Sequence, residues 1–257
     1  QIANPDKSAS AEGQILKGDF YYANDISKWQ RAVNTFRLRV LISLSKKTAD
    51  ADLKVVQQFK DIIANPAKYP LMESMEQNLQ FVYNNINKYP SNLDNLGFDA
   101  TRYNMSATYL NTLVNMNDPR AYITAEPATK QINLLHKLPS DITAYVGASS
   151  GESLEDMSSG MANVDTAAYS VRSRSRYYSS YAAEPGVIIG YPELCFNMAE
   201  GINRGWIAGD AEAWYKKGIR ASLSFYGIPV DAAGTVTKTY NGTRYDIPFN
   251  FESTYYQ

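Results

Sequence analysis

A chain with a single histidine and a single cysteine has few routes to covalent chemistry. His136 and Cys195 would have to meet to make a thiol–imidazole pair, and no structural zinc set or internal disulfide can be assembled from them. Cys195 falls on the apolar stripe of a helix, where a thiol is a small packing residue, and His136 reads as structural. A serine triad lacks its Gly-x-Ser-x-Gly elbow, and no glycine-rich loop is built to cradle phosphate. Carboxylates remain. Glu152, Glu155 and Asp156 crowd one polar stretch, and Glu193 and Glu200 lie on one helix. Acids that close together in a loop are solvated or calcium-binding oxygens more often than an acid–base pair, and Glu193 is accounted for by a helix dipole. The expectation is a protein that is not an enzyme and uses no cofactor and no metal.

Non-covalent recognition is better provided for. Between Ala125 and Gly190 the sequence is rich in Ser, Gly, Ala and Tyr, lacks sustained apolar periodicity and is too long for a plain connection. Tyr145, Tyr169, Tyr177, Tyr178 and Tyr181 fall inside it, as do Arg172, Arg174 and Arg176. Aromatic faces suit the C–H side of a sugar ring, and phenols and guanidinium forks suit its hydroxyls or the backbone of a peptide. Tyr145, Tyr169, Arg176, Tyr177, Tyr178 and Tyr181 are the candidate ligand-binding residues. The other reading of the same tyrosines is that they pin a long loop to the scaffold by burying their rings.

Helices must position that excursion. Tyr191–Gly227 spells two of them: Pro192 and Glu193 suit a first turn, Leu194, Cys195, Met198, Ala199 and Ile202 make one apolar stripe, and Gly205 closes the helix. Asp210 caps the second helix, whose face carries Trp214, Gly218, Ala221 and Phe225. Small residues such as Gly201 and Gly218 would let the two backbones approach, giving a helical hairpin of the tetratricopeptide type. Earlier, Asp25 caps a helix from about Ile26 to Ser45 with Trp29, Val33, Phe36, Val40 and Leu44 inward, and Asp50 or Asp52 starts another, with Leu53, Val56, Phe59 and Ile63 facing in and Asn65-Pro66 ending it. Leu79, Phe81 and Tyr83 alternate like a short strand. Thr101 to Asn115 returns to helix, with Met105, Tyr109, Leu113 and Met116 as core, and Gln1 to Gln14 is loop. Asn241-Gly242 between two β-prone runs predicts a hairpin over residues 235–248.

Charge excludes one class of partner. With 25 basic and 26 acidic residues and no long run of one sign, nothing marks a nucleic-acid surface. No apolar run is long enough to span a membrane as a helix.

Three of these stretches, and a fourth, carry a family resemblance. The run through GINRGWIAGD to YGI, the helix GDFYYANDISKWQRAVNTFRLRVLISLS (Gly18 to Ser45), the corner NMNDPRAYI (Asn115 to Ile123) and the loop Tyr145-Val146-Gly147 followed by Gly151 stand in the order found in the SusD/RagB superfamily, which they resemble. The resemblance covers roughly Gly18 to Gly227. It implies a mainly α fold of tetratricopeptide-like hairpins with long loop excursions and a small β-hairpin, forming one helical domain over 1–257 with its excursion at 125–190, its helical hairpin at 191–227 and its β-hairpin at 235–248. It further implies a cell-surface lipoprotein of the Bacteroidetes outer membrane, with a signal and a lipid anchor outside this chain, that captures an oligosaccharide or a peptide for a SusC-like TonB-dependent transporter. The chain resembles the middle and later part of such a protein. The competing class is a protein–protein adaptor that binds peptides in a helical-repeat groove. In a bacterial setting the acceptor patterns at Asn104 and Asn241 are chance matches to N-glycosylation.

Overall fold

The computed structural model describes residues 18–99 and 103–256, so the sequence readings on residues 1–14 and at Thr101 lie outside it. In chain order the elements are α1 (Ile26–Ser43), α2 (Val55–Ala64), β1 (Leu79–Phe81), α3 (Leu96–Asp99), α4 (Ala107–Asn115), α5 (Arg120–Thr124), α6 (Thr129–Asn133), α7 (Leu154–Met161), α8 (Arg174–Tyr177), β2 (Gly186–Ile189), α9 (Tyr191–Asn203), α10 (Ala211–Phe225), β3 (Gly234–Tyr240) and β4 (Thr243–Phe249), with short 3₁₀ turns between them and one π turn at Phe251–Tyr255. The fold is mainly α with a small β-hairpin. It divides into two compact units, one of residues up to 82 with 185–222, the other of 83–184 with 223 onward.

The first unit is built by burial. Asp25 is extended, and its carboxylate accepts from the N–H groups of Ser27 (2.9 Å) and Lys28 (3.2 Å), a cap that contributes about 1 kcal/mol and starts α1 where the sequence places it. The inward face of α1 differs from the expected one. Ala32, Thr35, Leu38 and Leu41 are buried, while Phe36 is 44% and Val40 40% exposed and Trp29 and Leu44 sit at the edge of the core. The helix packs against both α2 and α9, and its buried Thr35 accepts from the Met72 N–H at 3.2 Å while Asn34 donates to the Pro70 carbonyl at 3.1 Å. The capping signal before α2 is also spent differently. Asp50 accepts from the N–H groups of Asp52 and Leu53 to make a turn, Lys54 takes φ +46°, and the helix starts at Val55 with Val55, Phe59 and Ile62 inward.

On α9, Pro192 lies in the first turn and Gly205 (φ +71°) follows the last. Two glycines make room for rings. A Cβ on Gly201 would lie 2.7 Å from the Phe59 ring, and one on Gly218 of α10 would lie 2.7 Å from the Phe196 ring. Asp210 accepts from the N–H of Ala213 at 3.0 Å, capping α10 as its sequence indicates. The strand at Leu79–Phe81 pairs antiparallel with β2, whose Gly-bounded β-branched run Gly186–Ile189 the sequence reading left inside the excursion. The three arginines of α1 find partners: Arg31 pairs with Glu73, Arg39 with Glu193, and Arg37 lies 4.9 Å over the Tyr69 ring.

The second unit is knitted by polar contacts. Asp118 of the NDPR corner is fully buried, and its carboxylate accepts from the Arg120 guanidinium (2.6 Å) and the Tyr255 hydroxyl (2.6 Å). The segment before α4 is extended, so that helix begins at Ala107; Tyr109 is 39% and Met116 64% exposed, where the sequence pattern put both in the core. The long excursion is stitched down through its backbone. Ala148 N–H donates to Met105 and Ala107 N–H to Ala148, while Ser170 N–H donates to Val146 and Met105 N–H to Ser170. Gly147 is required there: a Cβ would lie 2.4 Å from the Ala107 nitrogen. The β-hairpin closes on Asn241 (φ +47°) and Gly242 (φ +78°), two left-handed residues as a type I′ turn demands.

Candidate functional site

The six candidate residues of the excursion have different fates. Tyr145 is only 2% exposed; its hydroxyl donates to the Pro139 carbonyl at 2.9 Å, its ring meets Tyr122 edge-on, and burial raises its pKa far above the ordinary phenol. Tyr177 and Tyr178 are buried too, Tyr177 stacked on Tyr89 and Tyr178 under the Arg172 guanidinium. Arg176 pairs with Glu184 at 2.6 Å and covers the Tyr226 ring at 4.6 Å. The Tyr181 hydroxyl donates to Asp94 at 2.9 Å, and the Lys88 ammonium sits 4.1 Å from the ring centre. These five are each engaged by other side chains or backbone of the second unit.

Tyr169 is placed otherwise. Its hydroxyl donates to Glu152 and its ring lies against Gly160 of α7, yet it lines a cavity of about 460 Å³ in the second unit. Glu152 is thereby committed, and Asp156 is engaged by Ser153 in the cap of α7. Among the described residues no group of three or more metal-ligating side chains is brought together.

Three segments bound the cavity: the stretch from Glu126 into α6, the stretch from α7 to the start of α8, and the turn end of the β-hairpin. Glu126 ties them together. One carboxylate oxygen accepts from the Arg174 N–H at 2.8 Å and the other from the Lys238 ammonium at 2.8 Å, which also donates to the Ala125 carbonyl. Lys238 is 3% exposed, and burial lowers its pKa from the ordinary lysine value although Glu126 opposes the shift. Thr129 adds a second stitch, accepting from Ala167 N–H and donating to the Val164 carbonyl.

The lining is graded. Its buried members, Pro127, Met161 and Ala167, are apolar. Tyr169 and Tyr240 are half-buried, and the exposed members Asn133, Asp165, Arg174, Ser175, Thr239 and Asn241 are polar or charged, with Val164, 60% exposed, as the apolar exception. Among the described residues the Arg174 guanidinium has no carboxylate partner. Such a lining offers aromatic faces and hydrogen-bond donors beside a small apolar floor, and it assembles no nucleophile with a base. Tyr240 was missed by the sequence reading because it sits in the hairpin, where alternation of the strand is the only signal and does not say what the ring faces. A second, more open groove of about 540 Å³ is lined by Tyr103, Tyr109 and Arg172, with the guanidinium 5.0 Å over the Tyr103 ring.

Comparison with known proteins follows the same lines. The SusD-like family described as "Starch-binding associating with outer membrane" matches residues 2–255. A SusD homologue from Bacteroides fragilis is 36% identical with a TM-score of 0.73, over 85% of this chain and 45% of that one. An outer membrane protein from Bacteroides vulgatus with a suggested role in nutrient binding is 30% identical with a TM-score of 0.68, over 82% of this chain and 45% of its own. A chitin-binding protein at 24% identity and a TM-score of 0.63, over 86% of this chain and 45% of its own, shares the fold. The chain thus spans less than half the length of these solved relatives. No curated protein matches the sequence. Family match, identity and fold agree: the chain belongs to the SusD-like family.

Proposed function

We propose that this chain is part of a nutrient-binding protein of the outer membrane that captures oligosaccharides without chemically altering them, and that the cavity flanked by Tyr169 and Tyr240 is where the sugar sits. The observation that carries the reading is the grading of that cavity, aromatic sides and polar rim over an apolar floor, in a unit that brings no acid–base or nucleophilic set together. Sugars present the complementary surface, C–H faces for rings and hydroxyls for amides and guanidinium. The family's description as starch-binding and outer-membrane-associated supports a glycan over other ligands, as does the chitin-binding relative. On this reading the whole protein is lipid-anchored on the cell surface and passes its ligand to a SusC-like TonB-dependent transporter.

Titration calorimetry of this chain against a panel of oligosaccharides and short peptides tests it. One glycan class should bind, and Tyr169→Ala or Tyr240→Ala should each weaken it about tenfold, the loss expected for one aromatic face. Heat from peptides alone would replace glycan capture with peptide capture or an adaptor role. Glycan binding unchanged by both substitutions would move the site to the Tyr103–Tyr109 groove.

A further inference from the structure

Taking the glycan reading as its premise, we propose that the cavity selects sugars carrying a methyl group, as an acetamido or a deoxy substituent, and seats that methyl on the floor formed by Pro127, Met161 and Ala167. The floor is apolar. Met161 is 5% and Ala167 6% exposed, and Pro127 is buried, so a hydroxyl placed among them would lose its water without gaining a partner. A hexose that turns an equatorial hydroxyl onto this floor meets that cost; a methyl in the same place does not. The backbone groups nearby are already committed, Ala167 N–H to the Thr129 hydroxyl and its carbonyl to Lys130 N–H, so the floor has no spare donor or acceptor from those atoms.

The rim supplies what the rest of such a sugar needs. Arg174 lines the cavity with no carboxylate partner among the described residues, so its N–H groups can donate to an acetamido carbonyl, and Asn241 and Thr239 flank it for ring hydroxyls. The geometry of the walls is fixed from behind, since Glu126 bonds both Arg174 N–H and Lys238. Preorganised walls make the floor's chemistry a filter on the ligand.

Two matched pairs of probes test the inference by calorimetry on this chain. Chitotriose and cellotriose differ only in carrying acetamido or hydroxyl groups on otherwise identical chains; L-fucose and L-galactose differ only in a methyl or hydroxymethyl group. The methyl-bearing member of at least one pair should bind about fourfold tighter or more, the value of one buried methyl. Met161→Gln, close in shape but polar, should erase that preference while the melting profile shows a folded protein. Arg174→Gln should weaken chitotriose more than fucose, which tells the acetamido source from the deoxy one. Equal binding within both pairs, still lost in Tyr169→Ala, overturns the selectivity and leaves capture at this cavity standing. No binding of any of the four, nor of any other sugar in the panel, overturns both.

Discussion

The two units of this chain bury different mixtures of side chains. In the first, Leu38, Val55, Phe59, Ile62, Leu194, Cys195 and Trp206 form a continuous apolar cluster under helices of ten residues and more. In the second, aliphatic and phenyl side chains such as Leu110, Leu223, Ile228, Val236 and Phe251 are buried too, but beside them stand Tyr122, Tyr145, Tyr177 and Tyr178 with Asp118, Thr124, Ser170, Ser173 and Lys238, under short helices and an excursion stitched by its own backbone. A cluster of aliphatic side chains closes without gaps, because any face can meet any other. A set of phenols, hydroxyls and charges must satisfy each polar atom in one geometry, and the space left between such contacts stays open. The cavity lies in the second unit, so the proposed ligand site falls where more polar and phenolic side chains are buried among the apolar ones.

The largest effect that would break this comparison lies in the first unit. Phe59→Ala removes a fully buried ring that meets Trp206 edge-on at 5.5 Å and fills the space Gly201 leaves, so it should cost about 3–5 kcal/mol in chemical denaturation. A cost below about 1 kcal/mol would mean the cluster does not hold that unit.

Glu126→Gln probes the second unit. It leaves the buried Lys238 without its counter-charge, and removal of one partner of such a pair costs about 3–5 kcal/mol before relaxation, whereas Glu126→Leu with Lys238→Met should recover most of it. Because Glu126 also holds the Arg174 N–H, the single variant should weaken sugar binding more than the melting loss alone implies. An unchanged affinity would sharpen the view of the pair as a structural tie only.

The smallest effect is in alkaline solution. Burial pushes Tyr122 and Tyr226 up to about 12, so both phenols stay protonated in the folded unit where an unfolded chain would ionise near pH 10. Their contribution is complete below pH 10 and is lost as pH rises through about 12. A pH titration followed by phenolate absorbance and near-ultraviolet dichroism should therefore show delayed ionisation that coincides with loss of the second unit's signal. Tyr122→Phe removes one of these groups, and its hydrogen bond to the Ser140 carbonyl, and should shift the alkaline transition upward while lowering stability slightly at neutral pH. Ordinary phenol titration before any unfolding would contradict the burial assigned to both rings.

Much of the architecture was open to reading because its causes are local. Asp25, Asp210, Pro192, Gly205 and Asn241-Gly242 act on backbone within a few residues of themselves, and each does so where its type indicates. The family likewise follows from short motifs in order, and the structure supplies their reasons: the NDPR acid is a buried acceptor for Arg120 and Tyr255, and the glycine of the Tyr-Val-Gly loop touches Ala107. Asp50 shows the limit, since a capping residue can equally close a turn.

What composition and spacing by themselves determined is the class of molecule: helical, with a tyrosine- and arginine-rich excursion and too little histidine and cysteine for the usual covalent chemistries; the SusD-like family was legible only through the resemblance of its motifs. What only tertiary structure decided is which way each side chain points. Phe36 and Val40 belong to the more apolar stripe of α1, yet the face buried in a helix that packs against α2 and α9 is the one with Ala32, Asn34, Thr35, Leu38 and Leu41. Tyr145 and Tyr169 stand in similar sequence, yet one closes over Pro139 and Tyr122 while the other borders open space beside Tyr240, some seventy positions away along the chain. Secondary structure is set by neighbours in sequence; exposure is set by neighbours in space, and a binding site is a statement about exposure.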